Sequence, residues 1–115
     1  MIESDLDRQT SALLERRGFV YYKIHGGEYQ KSGLPDFIAY RDGQLVLIEN
    51  KHPNGKGTLK ALQYVVLKEF AAQGAYCLVS DSIEWTDMKL DNIVPGAVIA
   101  KQKYIDQALH AIGEC

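Results

Sequence analysis

With 115 residues, 46% of them hydrophobic and 24% charged, the chain has the size and composition of one ordinary globular domain, which excludes a fibrous repeat and argues against disorder. Apolar runs such as Leu45–Ile48 and Ile93–Ala100 are too short or too interrupted to cross a bilayer, and the acidic start Met1-Ile2-Glu3-Ser4-Asp5 has no leader pattern. A single cytoplasmic domain over 1–115, with no membrane partner and with Cys77 and Cys115 as free thiols, is the expectation. The formal net charge of −2 counts against a basic surface overall, but the charge is uneven. Residues 16–60 hold eight Lys and Arg against four Asp and Glu, a local +4, while the remainder holds five against eleven.

Ser4 followed by Asp7 resembles an acidic capping box, and Leu6, Thr10, Leu13 and Leu14 recur at helical spacing up to Gly18, predicting a helix over about 5–17. Phe19-Val20-Tyr21-Tyr22-Lys23-Ile24 is β-branched and aromatic and reads as a strand, followed by a loop from His25 to Gly33. Phe37-Ile38-Ala39-Tyr40 and Leu45-Val46-Leu47-Ile48 flank Arg41-Asp42-Gly43-Gln44, and Asp-Gly between two apolar runs predicts a hairpin. A turn-rich connection over 52–58 follows, with Thr58 placed to cap a helix whose core face is Leu59, Leu62, Val66 and Phe70. Ala75-Tyr76-Cys77-Leu78-Val79 reads as a strand. The acidic stretch 81–92, a turn at Val94-Pro95-Gly96 and a terminal helix around Tyr104, Ile105, Ala108, Leu109 and Ile112 complete the chain. The order α-β-β-β-α-β over a core of 3–80, with a C-terminal extension over 81–115, predicts an α/β domain with a mixed sheet flanked by helices.

The hairpin sets the positions of its charged residues. A two-residue turn at Asp42-Gly43 pairs Arg41 with Gln44, Tyr40 with Leu45, Ile38 with Leu47 and Asp36 with Glu49, the last three pairs on one face. Two opposed carboxylates at the end of an apolar hairpin repel each other unless a cation lies between them. Lys51, two residues past Glu49 on the same face, is one such cation, and a divalent ion with hard oxygen ligands is the other. If an ion is held there, Asp36 and Glu49 suit Mg²⁺ or Mn²⁺, and Lys51 suits orienting a water or offsetting charge on phosphoryl oxygens. An ion-pair cluster without chemistry is the alternative. Lys23, Lys31, Lys56 and Lys60 flank these residues and suit phosphate contacts. No His/Cys metal spacing, phosphate-binding glycine loop or nucleophile elbow competes with them.

Gly33-Leu34-Pro35-Asp36, an apolar hairpin and then Glu49-Asn50-Lys51 resemble the signature of the PD-(D/E)xK nuclease superfamily. With Glu3 opening the first helix, the Gly18-to-Ile24 strand and Gln63 on the second helix, residues 3 to about 80 are similar to its VRR-NUC branch. The resemblance implies a restriction-endonuclease-like fold in which Asp36, Glu49 and the Asn50 carbonyl bind the metal, Lys51 is catalytic, and Glu3 and Gln63 complete the site. It also implies cleavage of DNA phosphodiesters, with branched DNA such as a four-way junction as substrate. Stand-alone members of this length resemble phage or prophage resolvases, and two cuts in a symmetric junction make a homodimer the corollary. A module of the same fold that binds DNA or assembles without cutting is the second reading. Asn50 departs from the pattern, whose middle residue is commonly apolar, and its side chain, pointing to the opposite face, requires a polar partner.

Overall fold

A computed structural model describes residues 3–25 and 32–113, with the backbone alone at residues 3 and 4. The elements run α1 (Glu3–Arg16), β1 (Val20–Lys23), β2 (Phe37–Arg41), β3 (Gln44–Asn50), α2 (Ala61–Ala72), β4 (Tyr76–Ser80), α3 (Ile83–Lys89), β5 (Val98–Ile99) and α4 (Gln102–Gly113). The strands form one sheet in the order β1-β2-β3-β4-β5, antiparallel from β1 to β3 and parallel from β3 to β5. The mixed sheet expected from the sequence is present. Among the described residues no helix is long and apolar enough to cross a membrane.

Side-chain alternation along β3 divides the core into two layers. Val46 and Ile48 pack with Leu13 and Leu14 of α1 and Leu90 after α3. Leu47 points the other way, into Leu59, Leu67 and Ala71 beside α2 and Tyr104 and Ala108 of α4. The hairpin has the register its turn dictates, from Arg41↔Gln44 to Phe37↔Ile48. Asp42 at φ 52° and Gly43 at φ 78° are both left-handed, the requirement for a two-residue turn whose twist matches its strands.

Three features differ from the sequence expectation. Helix α2 begins at Ala61, with Lys60 rather than Thr58 at its cap, because Leu59 is fully buried and holds the chain extended until it has entered the core. Leu59 and Val66 are buried as expected, but Leu62, expected on the same face, is 49% exposed, and Leu67 and Ala71 are buried in its stead. This helix is apolar around most of its circumference, so spacing alone does not fix which face turns inward. The acidic stretch contains helix α3, capped by the Ser82 hydroxyl, and its Asp87, together with Asp91 just beyond, receives the Arg17 guanidinium from the end of α1. Short β5 joins the sheet edge beyond it.

The C-terminal extension is packed into the domain through residues such as Tyr104 and Ala108. Tyr104 is fully buried, and its hydroxyl donates to Asp81 Oδ2 at 2.7 Å while Lys101 Nζ donates to Oδ1 at 2.8 Å. Burial alone would raise the Asp81 pKa, but the bonds from Lys101 and Tyr104 outweigh it and hold the carboxyl below its ordinary value. Cys77 is a free, buried thiol pushed up to about 12 by burial, which fits the free thiol expected there, while Cys115 lies outside the described residues. Tyr104→Phe is expected to lower stability by about 1–3 kcal/mol, the range for one hydrogen bond to a buried carboxylate. Urea unfolding at neutral pH measures it, and the difference should shrink as acid protonates Asp81, because a depressed pKa contributes stability only above it.

Candidate functional site

The candidate residues meet where β2 and β3 part from their pairing. Phe37↔Ile48 is the last ladder pair, so the same register would set Pro35 opposite Asn50. Instead the Asp36 carboxylate takes the place of the next ladder carbonyl, and the Asn50 N–H donates to Asp36 Oδ2 at 2.7 Å. The Asp36 main chain remains tied to β1, because its carbonyl accepts from the Ile24 N–H at 2.7 Å. Within a strand the N–H and C=O of one residue point to the same side, so the Asn50 carbonyl is directed toward Asp36 as well. The approach to this corner depends on Gly33, whose φ is +87° and whose added Cβ would lie 2.8 Å from Leu62 Cγ and 3.1 Å from the Leu62 carbonyl oxygen.

Glu49 and Lys51 occupy the face toward α2 and are both buried. Lys51 Nζ lies 3.2 Å from Glu49 Oε2 and donates to Gln63 Oε1 at 2.8 Å, and Gln63 Nε2 donates to Glu49 Oε2 at 3.1 Å. Gln63 can do this because it sits in the first turn of α2, where its Oε1 also accepts from the Lys60 N–H at 3.0 Å and so caps the helix. The charge of Lys51 also reaches Asp36 and favours its ionised form. Burial is the largest influence on Asp36 and leaves its pKa raised, although the Asn50 N–H, Lys23 and Lys51 all favour the ionised form.

The Asn50 side-chain nitrogen finds its partners on α1, donating to Asp7 Oδ1 at 2.8 Å and to Thr10 Oγ1 at 3.1 Å, while Oδ1 is buried without a hydrogen-bond partner among the described residues. Lys23, expected to flank the site as a phosphate contact, lies inside it, with Nζ 3.3 Å from Asp7 Oδ2 and 3.6 Å from Asp36 Oδ1. Lys56 and Lys60 are exposed on the connection into α2. Lys31, with the rest of residues 26–31, and the Glu3 side chain lie outside what the structure describes. Thus Asp36, Glu49, Asn50, Lys51 and Gln63 come together, and Asp7 and Lys23 join them from α1 and β1. Thr10 was a hint in the sequence, being a polar residue at a core-spaced position of an amphipathic helix.

The donor set fits a hard divalent ion. It offers two carboxylates and a peptide carbonyl, leaving room for waters and phosphate oxygens, and the ammonium groups of Lys51 and Lys23 already rest against those carboxylates where a cation is required. Among the described residues no group of three or more His, Cys, Asp and Glu side chains could hold an ion.

No family model matches the chain, and no curated protein does. A solved structure described as a VRR_NUC domain is similar to it, with a TM-score of 0.66 at 20% identity, covering 78% of this chain and 95% of that one. The fold is therefore that of a VRR_NUC domain, a mixed five-stranded sheet between two layers of helices.

Because the folded pKa of Asp36 is raised, folding is favoured by its protonation, and that contribution is lost as pH rises through the folded value. Asp36→Asn should therefore be more resistant to thermal unfolding than the wild type at neutral pH in the presence of a chelator. The gap should close as the pH falls to the ordinary carboxylate range. A wild type that melts higher than the variant at neutral pH under those conditions would contradict it.

Proposed function

We propose that the protein is a divalent-metal-dependent endonuclease that hydrolyses DNA phosphodiester bonds, with a preference for branched DNA such as a four-way junction. The observation that carries this reading is the buried Lys51 ammonium, held by Gln63 against Glu49 at the open end of a hairpin whose Asn50 N–H holds the Asp36 carboxylate, in a VRR_NUC fold. Asp36, Glu49 and the Asn50 carbonyl would hold Mg²⁺ or Mn²⁺, with Glu3 as a further candidate ligand. When bound, such an ion would polarise a phosphoryl oxygen and acidify a bound water.

The chain's own groups account for the rest of the chemistry. Lys51 can donate to an attacking water or to an equatorial phosphoryl oxygen as charge grows there. Gln63 fixes the direction of that ammonium, since its carbonyl oxygen accepts from Nζ while its amide is anchored on Glu49. The Asn50 N–H keeps the Asp36 carboxylate turned toward the carbonyl beside it. Lys56 and Lys60, exposed next to these residues, and Lys31 would meet the DNA backbone, while the local +4 of residues 16–60 offsets the net negative charge of the whole chain. A homodimer would supply the two sites needed to cut both strands of a symmetric junction. A phage or prophage origin, with action in a host cytoplasm, belongs to the same proposal.

The test is incubation of linear, flap and four-way-junction DNA with Mg²⁺ or Mn²⁺. Wild type should cut the junction, and Lys51→Ala should lower the cleavage rate by about 10²–10³-fold, as expected when a group that stabilises developing charge is removed. Gln63→Ala, which leaves Lys51 in place but loose, should cost about tenfold. Cleavage undiminished in Lys51→Ala overturns the assignment of that residue. Binding of junctions without cleavage by wild type in either metal would identify the non-cutting module instead.

A further inference from the structure

The cleavage chemistry gives Asp7 and Lys23 no role at this corner. Asn50 is held from two sides, its N–H on Asp36 Oδ2 at 2.7 Å and its amide on Asp7 Oδ1 at 2.8 Å. The other Asp7 oxygen lies 3.3 Å from Lys23 Nζ, and that ammonium lies 3.6 Å from Asp36 Oδ1, which closes a ring of four residues. Lys23 is directed there by its strand: it pairs with Phe37 on the α1 side of the sheet, and its Nζ stands 5.3 Å from the centre of the Phe37 ring. With only 28% of its side chain exposed and a carboxylate on either side, it is badly placed to follow a DNA backbone.

Two carboxylates facing each other beside a hydrophobic core repel, and in such surroundings the repulsion is weakly screened. Lys23 supplies the positive charge that lets Asp7 and Asp36 approach. A divalent ion on Asp36 would bring more charge into closer contact than the ammonium does, and would repel it. Asp7 offers the displaced ammonium a partner at a distance it already occupies. Building on the reading of Asp36 as a metal ligand, we propose that Lys23 is the site's own counter-cation: it neutralises Asp36 until a divalent ion binds, then shifts onto Asp7, and this pair sets the affinity for the ion.

The pair predicts effects of opposite sign, which loss of structure cannot produce. Removal of the competing ammonium should tighten ion binding, whereas removal of the Asp7 charge should weaken it by leaving Lys23 with Asp36 alone. Calorimetric titration of Mg²⁺ into the DNA-free protein tests this. Lys23→Met, which keeps the apolar stem over Phe37, should bind about tenfold more tightly than wild type, the effect of losing one nearby unit charge at moderate screening. Asp7→Asn should bind several-fold more weakly, and Lys23→Arg should stay close to wild type. Lys23→Met binding no more tightly than wild type, or both charge removals moving affinity the same way, overturns the proposal.

A second readout needs no variant with altered packing. The ammonium signal of Lys23 in nitrogen-15 spectra of the wild type should shift as Mg²⁺ is added, and a signal that stays fixed through saturation overturns the proposal equally. Failure of the underlying reading looks different: wild type and Asp36→Asn would then show the same absence of Mg²⁺ binding.

Discussion

The turn at Asp42-Gly43 is the constraint on which the rest of the structure depends. Two left-handed residues leave the flanking strands one register, and a shift by a single residue would exchange the two faces of β3. Leu47 would then face α1, and Val46 and Ile48 would face α2. Glu49 and Lys51 would turn away from Gln63, and the Asn50 amide away from Asp7. Both core layers and the charged corner are therefore decided by a tight turn at the other end of the hairpin, about 20 Å away at the usual rise per strand residue.

Much of this was legible in the sequence because the signals are short-range. Asp-Gly between apolar runs specifies a turn type, the turn type specifies the pairing, and period-two alternation puts Glu49 and Lys51 on one face. What escaped the reading came from contacts between distant elements. The exposure of Leu62 follows from which side of an almost uniformly apolar helix meets the sheet. Helix α3 was hidden in an acidic stretch, two of whose carboxylates, Asp87 and Asp91, are met by Arg17, some seventy residues earlier. The partners of Asn50 are similarly remote, since Asp7 lies more than forty residues before it. Even so, Asn50 itself announced the need for them, being a polar residue where an apolar one is common.

Burying ions beside a core is unfavourable unless every charge is answered. The corner meets that demand with two groups, Lys23 between Asp7 and Asp36 and Lys51 against Glu49, with Asn50 and Gln63 donating to the carboxylates. The arrangement is anchored by four separate elements, α1, β1, α2 and the end of the hairpin, so none of its members can move far without disturbing the packing of the domain. A site assembled in this way is preorganised, and rigid elements rather than loops hold its groups in place. The same property explains why α1, far from the hairpin in sequence, belongs to the site.

Gln63 places a narrow limit on variation. Its carbonyl oxygen accepts from a backbone N–H and from an ammonium, and its amide nitrogen donates to a carboxylate, all from one side chain. Ionised glutamate could accept but not donate, lysine or arginine could donate but not accept, and asparagine is a methylene too short to span the same gap. The residue that starts the second helix and the residue that aims the lysine are thus a single choice of amino acid. Homologues that keep this corner intact should retain the amide at 63.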